Sequence, residues 1–169
     1  MAKCYWITGL SASGKTTMAN SLVDFLRSQG EKVILLDGDE LRYVLSVDTY
    51  SREERIMNGM RYSRLCRLLV SQDVSVIIAV IGMFEEIYKW NRENIENYIE
   101  IFINVPMIEL QRRDPKNLYT NFKDGLVKNI AGLDLKVDNP VNPHIKLDWN
   151  EGRLPESMFE ELKFKLNSV

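Results

Sequence analysis

Residues 9–16 read GLSASGKT, which matches the pattern G-x-x-x-x-G-K-[ST] of phosphate-binding loops. An apolar β-type run, CYWIT (4–8), precedes the loop, and apolar residues at helical spacing follow it from Lys15 to Gln29. A strand that ends before the glycines and a helix that begins at the lysine distinguish a functional phosphate-binding loop from a chance match. We therefore predict a site for the phosphates of a nucleoside triphosphate.

The residue types in this loop have separate roles. Glycines let successive backbone N–H groups turn towards phosphate oxygens, and the following helix adds its positive N-terminal end. Lys15 can reach the β- and γ-phosphates, and the Thr16 hydroxyl is the expected ligand of Mg²⁺. Thr17 is expected near the phosphates rather than on the metal. The predicted nucleotide contacts are Gly9, Ser11, Ala12, Ser13, Gly14, Lys15, Thr16 and Thr17.

Strands and helices alternate along the rest of the chain. Further strands are predicted at 32–36, 74–81, 99–105 and 144–148. Further helices are predicted at 51–69, 85–97, 106–113 and from about residue 155, and the polar segment 112–142 has weak periodicity. This order predicts a single α/β domain of the P-loop NTPase type over residues 1–169, in three layers, with a parallel sheet between helices on both faces. Ligands of such sheets bind at the carboxyl ends of the strands.

The composition argues against several classes of protein. Of 169 residues, 45% are hydrophobic and 27% are charged, and the net charge of −2 gives no general attraction to nucleic acid or to an anionic membrane. Cys4 and Cys66 have no paired spacing and are expected to be buried thiols, and the single histidine, His144, argues against a multi-histidine zinc site. Because we find no signal-peptide region and no apolar run that could span a bilayer, we expect a cytoplasmic protein.

A pair of carboxylates follows the second predicted strand. The segment LLDGDELR (35–42) places Asp37 and Asp39 at its carboxyl end, with Arg42 about one turn further on. If strand geometry continued through both aspartates, their side chains would point to one side near the phosphates. One carboxylate could then take the proton of an acceptor hydroxyl while the other orients Mg²⁺-bound water or substrate.

The reaction class follows from these residues and from missing motifs. Neither a guanine-reading N-K-x-D nor a D-x-x-G switch lies in a suitable place, which disfavours a GTPase. A small-molecule kinase remains, in which an acceptor hydroxyl attacks the γ-phosphate. Two alternatives stay open. One is a catalytically silent nucleotide-binding regulator, which the intact Lys15, Asp37 and Asp39 disfavour; the other is a kinase for a sugar or a similar metabolite.

Five segments together resemble the adenylylsulfate (APS) kinase family over about residues 4–147. These segments are GLSASGKTT (9–17), LLDGDELR (35–42), Arg55-x-x-Asn58, RDPKNLY (113–119) and KNIAGLD (128–134). The resemblance implies phosphorylation of the ribose 3′-hydroxyl of a nucleotide by ATP and Mg²⁺, and family members are often homodimers. It implies a catalytic set of Lys15, Asp37 and Asp39, in which Asp39 matches the base. It also implies that Arg42, Arg55 and Asn58 contact the acceptor substrate.

The resemblance further implies a lid at about residues 112–134 that closes over both nucleotides. The lid begins at RDPK (113–116), where Arg113 would contact ATP and Lys116 the acceptor. Lys128 would lie near phosphates at its far end. Basic residues concentrate in 112–128, as expected for a segment that excludes water and neutralises the transferred phosphate.

Two regions of the predicted acceptor site depart from the family pattern. Where the family has F-I-S-P, the chain has VIGM (80–83), so Ile81 and Gly82 are the expected acceptor contacts. The family clamps the adenine of APS between two aromatic rings, of which Tyr50 keeps one and Ile130 replaces the other. Stacking on an aromatic ring is worth about 1–3 kcal/mol per base, so its loss favours a smaller pyrimidine between these two residues.

Within the family, the chain resembles the cytidine diphosphoramidate kinases of bacterial capsule pathways. That resemblance implies that cytidine diphosphoramidate receives the γ-phosphate of ATP on its 3′-hydroxyl. APS is the alternative acceptor in the same reaction class.

Overall fold

A computed structural model describes residues 1–47 and 50–169 of the chain. These residues form a five-stranded parallel sheet surrounded by helices. The strands are β1 (Cys4–Thr8), β2 (Val33–Asp37), β3 (Ser75–Val80), β4 (Tyr98–Asn104) and β5 (Ile145–Asp148). The helices are α1 (Lys15–Ser28), α2 (Gly38–Val44), α3 (Arg52–Val70), α4 (Glu85–Asn94), α5 (Met107–Arg113), α6 (Leu118–Lys123) and α7 (Pro155–Leu166). In this part of the chain no helix combines the length and apolarity needed to cross a membrane.

The sheet order, β2-β3-β1-β4-β5, places the phosphate loop at the centre of the molecule. β1 is the middle strand and pairs in parallel with β3 on one side and β4 on the other. The chain first adds β2 and β3 on one side of β1 and then adds β4 and β5 on the other side. The direction in which strands are added therefore reverses beside β1. In parallel sheets such a reversal opens a crevice at the carboxyl ends of the strands, where ligands bind. The predicted α/β fold is confirmed, and the loop after β1 lies in this crevice.

Alternating side chains of β1 divide the core into two layers. Tyr5 and Ile7 pack with residues of α1 and α7, whereas Cys4 and Trp6 pack with residues of α3 and α4. This division follows from the period of two in side-chain direction along a strand. Burial on both faces explains the nearly continuous apolar runs of the strands. Both thiols, Cys4 and Cys66, are free and buried in the α3 layer, as the sequence predicts.

Two short helices lie where the sequence pattern predicts none. α2 begins at Gly38, directly after β2 ends, so the expectation that strand geometry continues from Asp37 to Asp39 is wrong. The cause is local, because the Asp37 side chain accepts a hydrogen bond from the Asp39 N–H over 2.9 Å and caps the new helix. α6 lies inside the polar segment 112–142 and is too short to produce a visible period.

Candidate functional site

The phosphate loop is held in a tight turn by its own backbone. The Leu10 carbonyl accepts hydrogen bonds from the Ser13 N–H at 3.2 Å and from the Lys15 ammonium at 2.7 Å. Gly9 approaches β4 so closely that a Cβ there would lie 2.7 Å from the carbonyl oxygen of Ile103. The first-turn N–H groups of α1 have no intrahelical acceptors and form the anion site expected at a helix N-terminus.

Lys15 provides the positive charge inside this loop. Burial lowers the pKa of its ammonium to about 8, and the neighbouring Asp37 and Asp39 oppose that shift. The side chain is therefore mostly charged at pH 7. Its hydrogen-bond partner is the neutral carbonyl of Leu10, so an anionic phosphate oxygen would be a stronger partner.

A hydroxyl and a carboxylate meet beside the loop, and their chemistry suits Mg²⁺. Thr16 Oγ1 donates to Asp37 Oδ2 over 2.7 Å, while the other carboxylate oxygen of Asp37 caps α2. Mg²⁺ in kinase sites takes few protein ligands and completes its octahedron with phosphate oxygens and water. The donor set therefore fits a Mg²⁺ ion that binds together with a triphosphate, with Thr16 as the predicted ligand and Asp37 adjacent to it.

A cleft of about 310 Å³ opens between the phosphate loop, the carboxyl ends of β2 and β3, and one face of α3. We call it the α3 cleft. The predicted site residues that line it are Ser11, Ala12, Gly14, Lys15, Thr16, Thr17, Asp37, Asp39, Arg42, Arg55, Asn58, Ile81, Gly82 and Lys116. Residues from five separate segments of the chain thus converge on one cleft.

Two arginines make one wall of the α3 cleft cationic. Arg55 donates to the carbonyl oxygens of Tyr50 at 3.0 Å and Asn129 at 2.9 Å, which fixes the position of its guanidinium. Burial, and then the charge of Arg42, lower the pKa of Arg55 to about 10, so it remains charged at neutral pH. Clustered guanidinium groups are suited to the phosphate oxygens of a nucleotide.

Tyr50 lies beside these arginines, outside the lining of the α3 cleft. Its side chain is 47% exposed, and the guanidinium carbons of Arg42 and Arg55 lie 4.3 and 5.3 Å from its ring centre. These are cation–π contacts. Because Tyr50 lies outside the lining of the cleft, its contact with a base stays a prediction.

The first residues of the predicted lid reach the α3 cleft through an ion pair. Pro115 and Lys116 line the cleft, and the Lys116 ammonium pairs with the Asp39 carboxylate. The two side chains are 62% and 70% exposed. An ion pair with this exposure is worth at most about 1 kcal/mol, so an incoming substrate can break it at little cost.

The same lid segment is tied to the outer side of the phosphate loop. Arg113 donates to the Ala12 carbonyl over 3.2 Å, and its Nε donates to the nearly buried Glu109 over 2.7 Å. The Tyr119 hydroxyl, from α6, donates to the Ser11 carbonyl over 3.0 Å. These bonds connect residues of the predicted lid directly to the backbone of the phosphate loop.

A second cavity, of about 460 Å³, lies on the other side of the phosphate loop. We call it the Trp149 cavity. Arg113, Trp149, Arg153 and Pro155 line it, and the Arg113 guanidinium carbon lies 5.3 Å from the centre of the Trp149 ring. Flat apolar and cationic surfaces of this kind suit a planar base. Apart from Arg113, the sequence does not single out these residues, because they come from the β5–α7 connection and α7, far from any motif.

The two cavities meet at the phosphate loop. Gly14 and Thr17 line both of them. A nucleoside triphosphate that lay along the loop could place its base in the Trp149 cavity and its last phosphate at the end of the α3 cleft. That cleft contains the carboxylate of Asp39, so a second molecule bound there would meet the phosphate beside a proton acceptor.

The segment KNIAGLD (128–134) forms a tight turn in the described structure. The Asp134 carboxylate accepts hydrogen bonds from the N–H groups of Asn129 at 2.8 Å and Ile130 at 2.6 Å. Ile130 is 5% exposed and belongs to the core layer of α1, whereas Lys128 is exposed. The structure brings neither of these two residues into the lining of the α3 cleft. Their contacts with an acceptor nucleotide therefore stay predictions.

Replacing Ile130 with phenylalanine is expected to lower the free energy of unfolding by about 1–3 kcal/mol, because a larger ring must enter a closed core site. Urea unfolding measures the change. Leu126→Phe is the control, since Leu126 is 72% exposed, and it should change stability by less than about 0.5 kcal/mol. An Ile130→Phe protein of unchanged stability that prefers adenine nucleotides would instead place this residue at the acceptor base.

Further residues of the α3 cleft were within reach of sequence reasoning. Arg55, Asn58, Gly59 and Tyr62 line the cleft together from one face of α3. Their spacing is i, i+3, i+4 and i+7, which is one face of a helix. Extending the pair Arg55-x-x-Asn58 along that face would have predicted Gly59 and Tyr62.

A parallel sheet with a GKT loop after its central strand, paired aspartates after β2 and two cavities that meet at the loop define a P-loop phosphotransferase. The family model described as adenylylsulphate kinase matches residues 1–148. The chain therefore belongs to the adenylylsulphate kinase family, and it is a kinase whose acceptor is a hydroxyl group.

Individual relatives agree with this assignment. The chain is 41% identical over 135 residues to the cytidine diphosphoramidate kinase of Campylobacter jejuni, which covers 80% of this chain and 79% of the relative. It is 38% identical over 146 residues to the adenylyl-sulfate kinase of Pseudomonas aeruginosa, which covers 85% and 74%. The structure of the Mycobacterium tuberculosis APS kinase CysC in complex with AMPPNP and APS matches with a TM-score of 0.89 at 30% identity, over 98% of both chains.

Proposed function

We propose that the protein transfers the γ-phosphoryl group of ATP to the ribose 3′-hydroxyl of an activated nucleotide. The observation that carries this proposal is the meeting of the Trp149 cavity and the α3 cleft at Gly14 and Thr17. A donor in one cavity and an acceptor in the other can react at a single point on the loop, as in-line phosphoryl transfer requires. The names of the relatives, which are kinases of APS and of cytidine diphosphoramidate, support a nucleotide as acceptor.

In this reaction Asp39 accepts the proton of the acceptor hydroxyl. It stands in the first turn of α2, in the lining of the α3 cleft, with Lys116 as its partner. Once the substrate displaces Lys116 from the carboxylate, this ammonium is free to pair with phosphate oxygens. Lys15 stabilises negative charge on the transferred group. Mg²⁺, when bound by Thr16 next to Asp37, supplies further neutralisation of the phosphate oxygens.

Cytidine diphosphoramidate is the acceptor that we favour, with APS second. Gly82, at the floor of the α3 cleft, has φ +45°, and a Cβ there would lie 3.0 Å from a ring carbon of Trp6. Glycine is thus the residue that this backbone and this packing accept, and the floor lacks the serine hydroxyl of the family pattern. Ile130 packs in the core layer of α1, outside the lining of the α3 cleft, and adds nothing to this preference in the described structure.

Incubation of the purified protein with Mg·ATP and one acceptor at a time tests the proposal. With cytidine diphosphoramidate we expect ADP release and a new ³¹P signal from a 3′-phosphate, with slower turnover for APS. Faster turnover with APS would reassign the acceptor base to adenine. ADP release only with a sugar would mean that the protein is a metabolite kinase. If no acceptor gave ADP, the remaining hypothesis would be a catalytically silent nucleotide-binding regulator.

Trp149 is proposed to stack on the adenine of ATP. Trp149→Ala is therefore expected to raise the KM for ATP about tenfold, since base stacking is worth about 1–3 kcal/mol. The kcat and the KM for the acceptor should change less than twofold, and Trp149→Phe should recover most of the affinity. Phe164→Ala, at a 74% exposed position of α7, is the control. An unchanged KM for ATP in Trp149→Ala would place the base elsewhere.

The homodimer and the cytoplasmic location remain predictions. Apolar side chains that a second copy could cover are exposed on α2 and α3, where Tyr43, Val44 and Met57 have 84%, 70% and 48% of their surface open to solvent. They lie outside the lining of both cavities.

A further inference from the structure

Tyr62 lies in the wall of the α3 cleft and has a hydroxyl group with no partner in the described structure. The side chain is 6% exposed, and its hydroxyl oxygen is buried without a hydrogen bond. Buried hydroxyl groups nearly always have partners, because an unsatisfied one costs about 1–3 kcal/mol of desolvation. An unsatisfied group on a residue that lines a ligand cleft points to a partner on the ligand.

The position of Tyr62 on its helix gives the depth at which such a ligand would meet it. Arg55, at the start of the cleft-lining face, bonds to the carbonyl of the exposed Tyr50 and therefore stands at the mouth of the cleft. Tyr62 is seven residues, or about two turns, further along this face and packs in the core layer of α3 and α4. It is therefore at the deep end of the α3 wall.

The surroundings of the Tyr62 hydroxyl are cationic. Burial raises the pKa of Tyr62, and the charges of Arg42 and Arg61 oppose this rise. Arg42 lines the α3 cleft, and its charge also lowers the pKa of Arg55. A guanidinium group in the cleft lining whose charge reaches Tyr62 favours an anionic group beside this wall over an apolar base.

We infer that Tyr62 is a specificity-determining residue whose hydroxyl hydrogen-bonds the terminal anionic group of the acceptor, the one beyond its 5′-phosphate. This inference rests on the proposed nucleotide kinase activity. A tyrosine hydroxyl both donates and accepts, so it can bond a phosphoryl or sulfuryl oxygen and also the N–H of an amidated phosphate. Because the bond forms only with a bound acceptor, Tyr62 contributes to affinity for the acceptor and not to stability of the free protein.

Tyr62→Phe removes the hydroxyl and keeps the ring. By calorimetry, we expect the dissociation constant for cytidine diphosphoramidate to rise about tenfold, the effect of losing one good hydrogen bond. The KM for ATP should stay within twofold, and the free variant should unfold at the same temperature as the wild type or higher. A lower unfolding temperature with unchanged acceptor affinity would overturn the inference, because the hydroxyl would then be structural.

Cytidine 5′-monophosphate, which lacks the terminal group, shows where on the ligand the contact lies. It should bind the wild type and Tyr62→Phe alike. Equal weakening of both nucleotides would overturn the inference by moving the contact to the base, the ribose or the first phosphate. If the wild type binds APS instead, the tenfold loss is expected with APS, and adenosine 5′-monophosphate becomes the comparison.

Tyr88→Phe is the matched control. Tyr88 is also buried, but it belongs to α4 and lies outside the α3 cleft, so acceptor affinity should not change.

Different results would overturn the proposed function and the inference about Tyr62. A wild type that binds the acceptor but transfers no phosphate would overturn the proposed function alone. A wild type that binds neither activated nucleotide would overturn both.

Discussion

Replacing Asp39 with asparagine is expected to lower kcat by about 10²–10⁴-fold and to leave the affinity for ATP nearly unchanged. Asparagine keeps the size of the side chain but cannot accept the proton of the acceptor hydroxyl. The capping bond of α2 uses the backbone N–H of Asp39 and the side chain of Asp37, so the fold should survive the change. Single-turnover ADP formation and equilibrium ATP binding measure the two effects.

Asp24→Asn is the matched control for this variant. Asp24 is exposed on α1 and lies outside the lining of both cavities, so turnover should equal that of the wild type. A kcat for Asp39→Asn within a fewfold of the wild type would remove Asp39 as the base. The ion pair with Lys116 would then be the main role of this carboxylate.

Lys15→Met is expected to lower kcat/KM for ATP by about 10³-fold, because it removes the cation that stabilises the transferred phosphate. The methionine keeps most of the volume of the side chain, so packing around the loop should be preserved. Lys32→Met is the control, since Lys32 is exposed and remote from both cavities. Near-normal kcat/KM in Lys15→Met would contradict the assignment of GLSASGKT as the phosphate site.

The same variant should be at least as stable as the wild type at neutral pH. Burial lowers the pKa of Lys15 from 10.5 to about 8, so the charged form opposes folding. Between these two values the unfolded chain binds more protons than the folded one, and the contribution of Lys15 to stability therefore rises with pH. Urea unfolding at pH 7 and pH 10 should show the wild type gaining stability relative to Lys15→Met. No such relative gain would mean that the lysine is not held in a desolvated site.

The phosphate site could be predicted from the sequence because its chemistry is local. Gly9 to Thr17 are contiguous, and the backbone N–H groups that bind phosphate belong to the loop itself. The aspartates also lie near each other, but their relative geometry was mispredicted. The Asp37 side chain caps α2 by accepting a hydrogen bond from a backbone N–H, and this bond competes with continuation of the strand. The apolar period of the sequence does not reveal that competition.

The residues that line the two cavities were harder to predict, because their positions depend on packing between distant segments. Ile130 is close in sequence to the lid residues, yet it packs in the core through the turn that Asp134 closes. Trp149 is unremarkable in the sequence and becomes a cavity wall only because β5 is the edge strand beside β4. Tyr62 has the spacing of a cleft residue, but its lack of a partner is visible only in three dimensions.

The sequence alone determined the parallel α/β fold and the phosphate loop, since short-range patterns of apolar period and backbone chemistry encode them. The family was indicated by the resemblance of five sequence segments to its motifs. The tertiary structure decided which side of the loop holds each cavity, which arginines approach one another and which tyrosine hydroxyls of the described residues lie buried without a partner. Those properties depend on contacts between residues far apart in the chain. The free energies of these contacts depend on burial and on the distances between charges, and no single segment of the sequence contains that information.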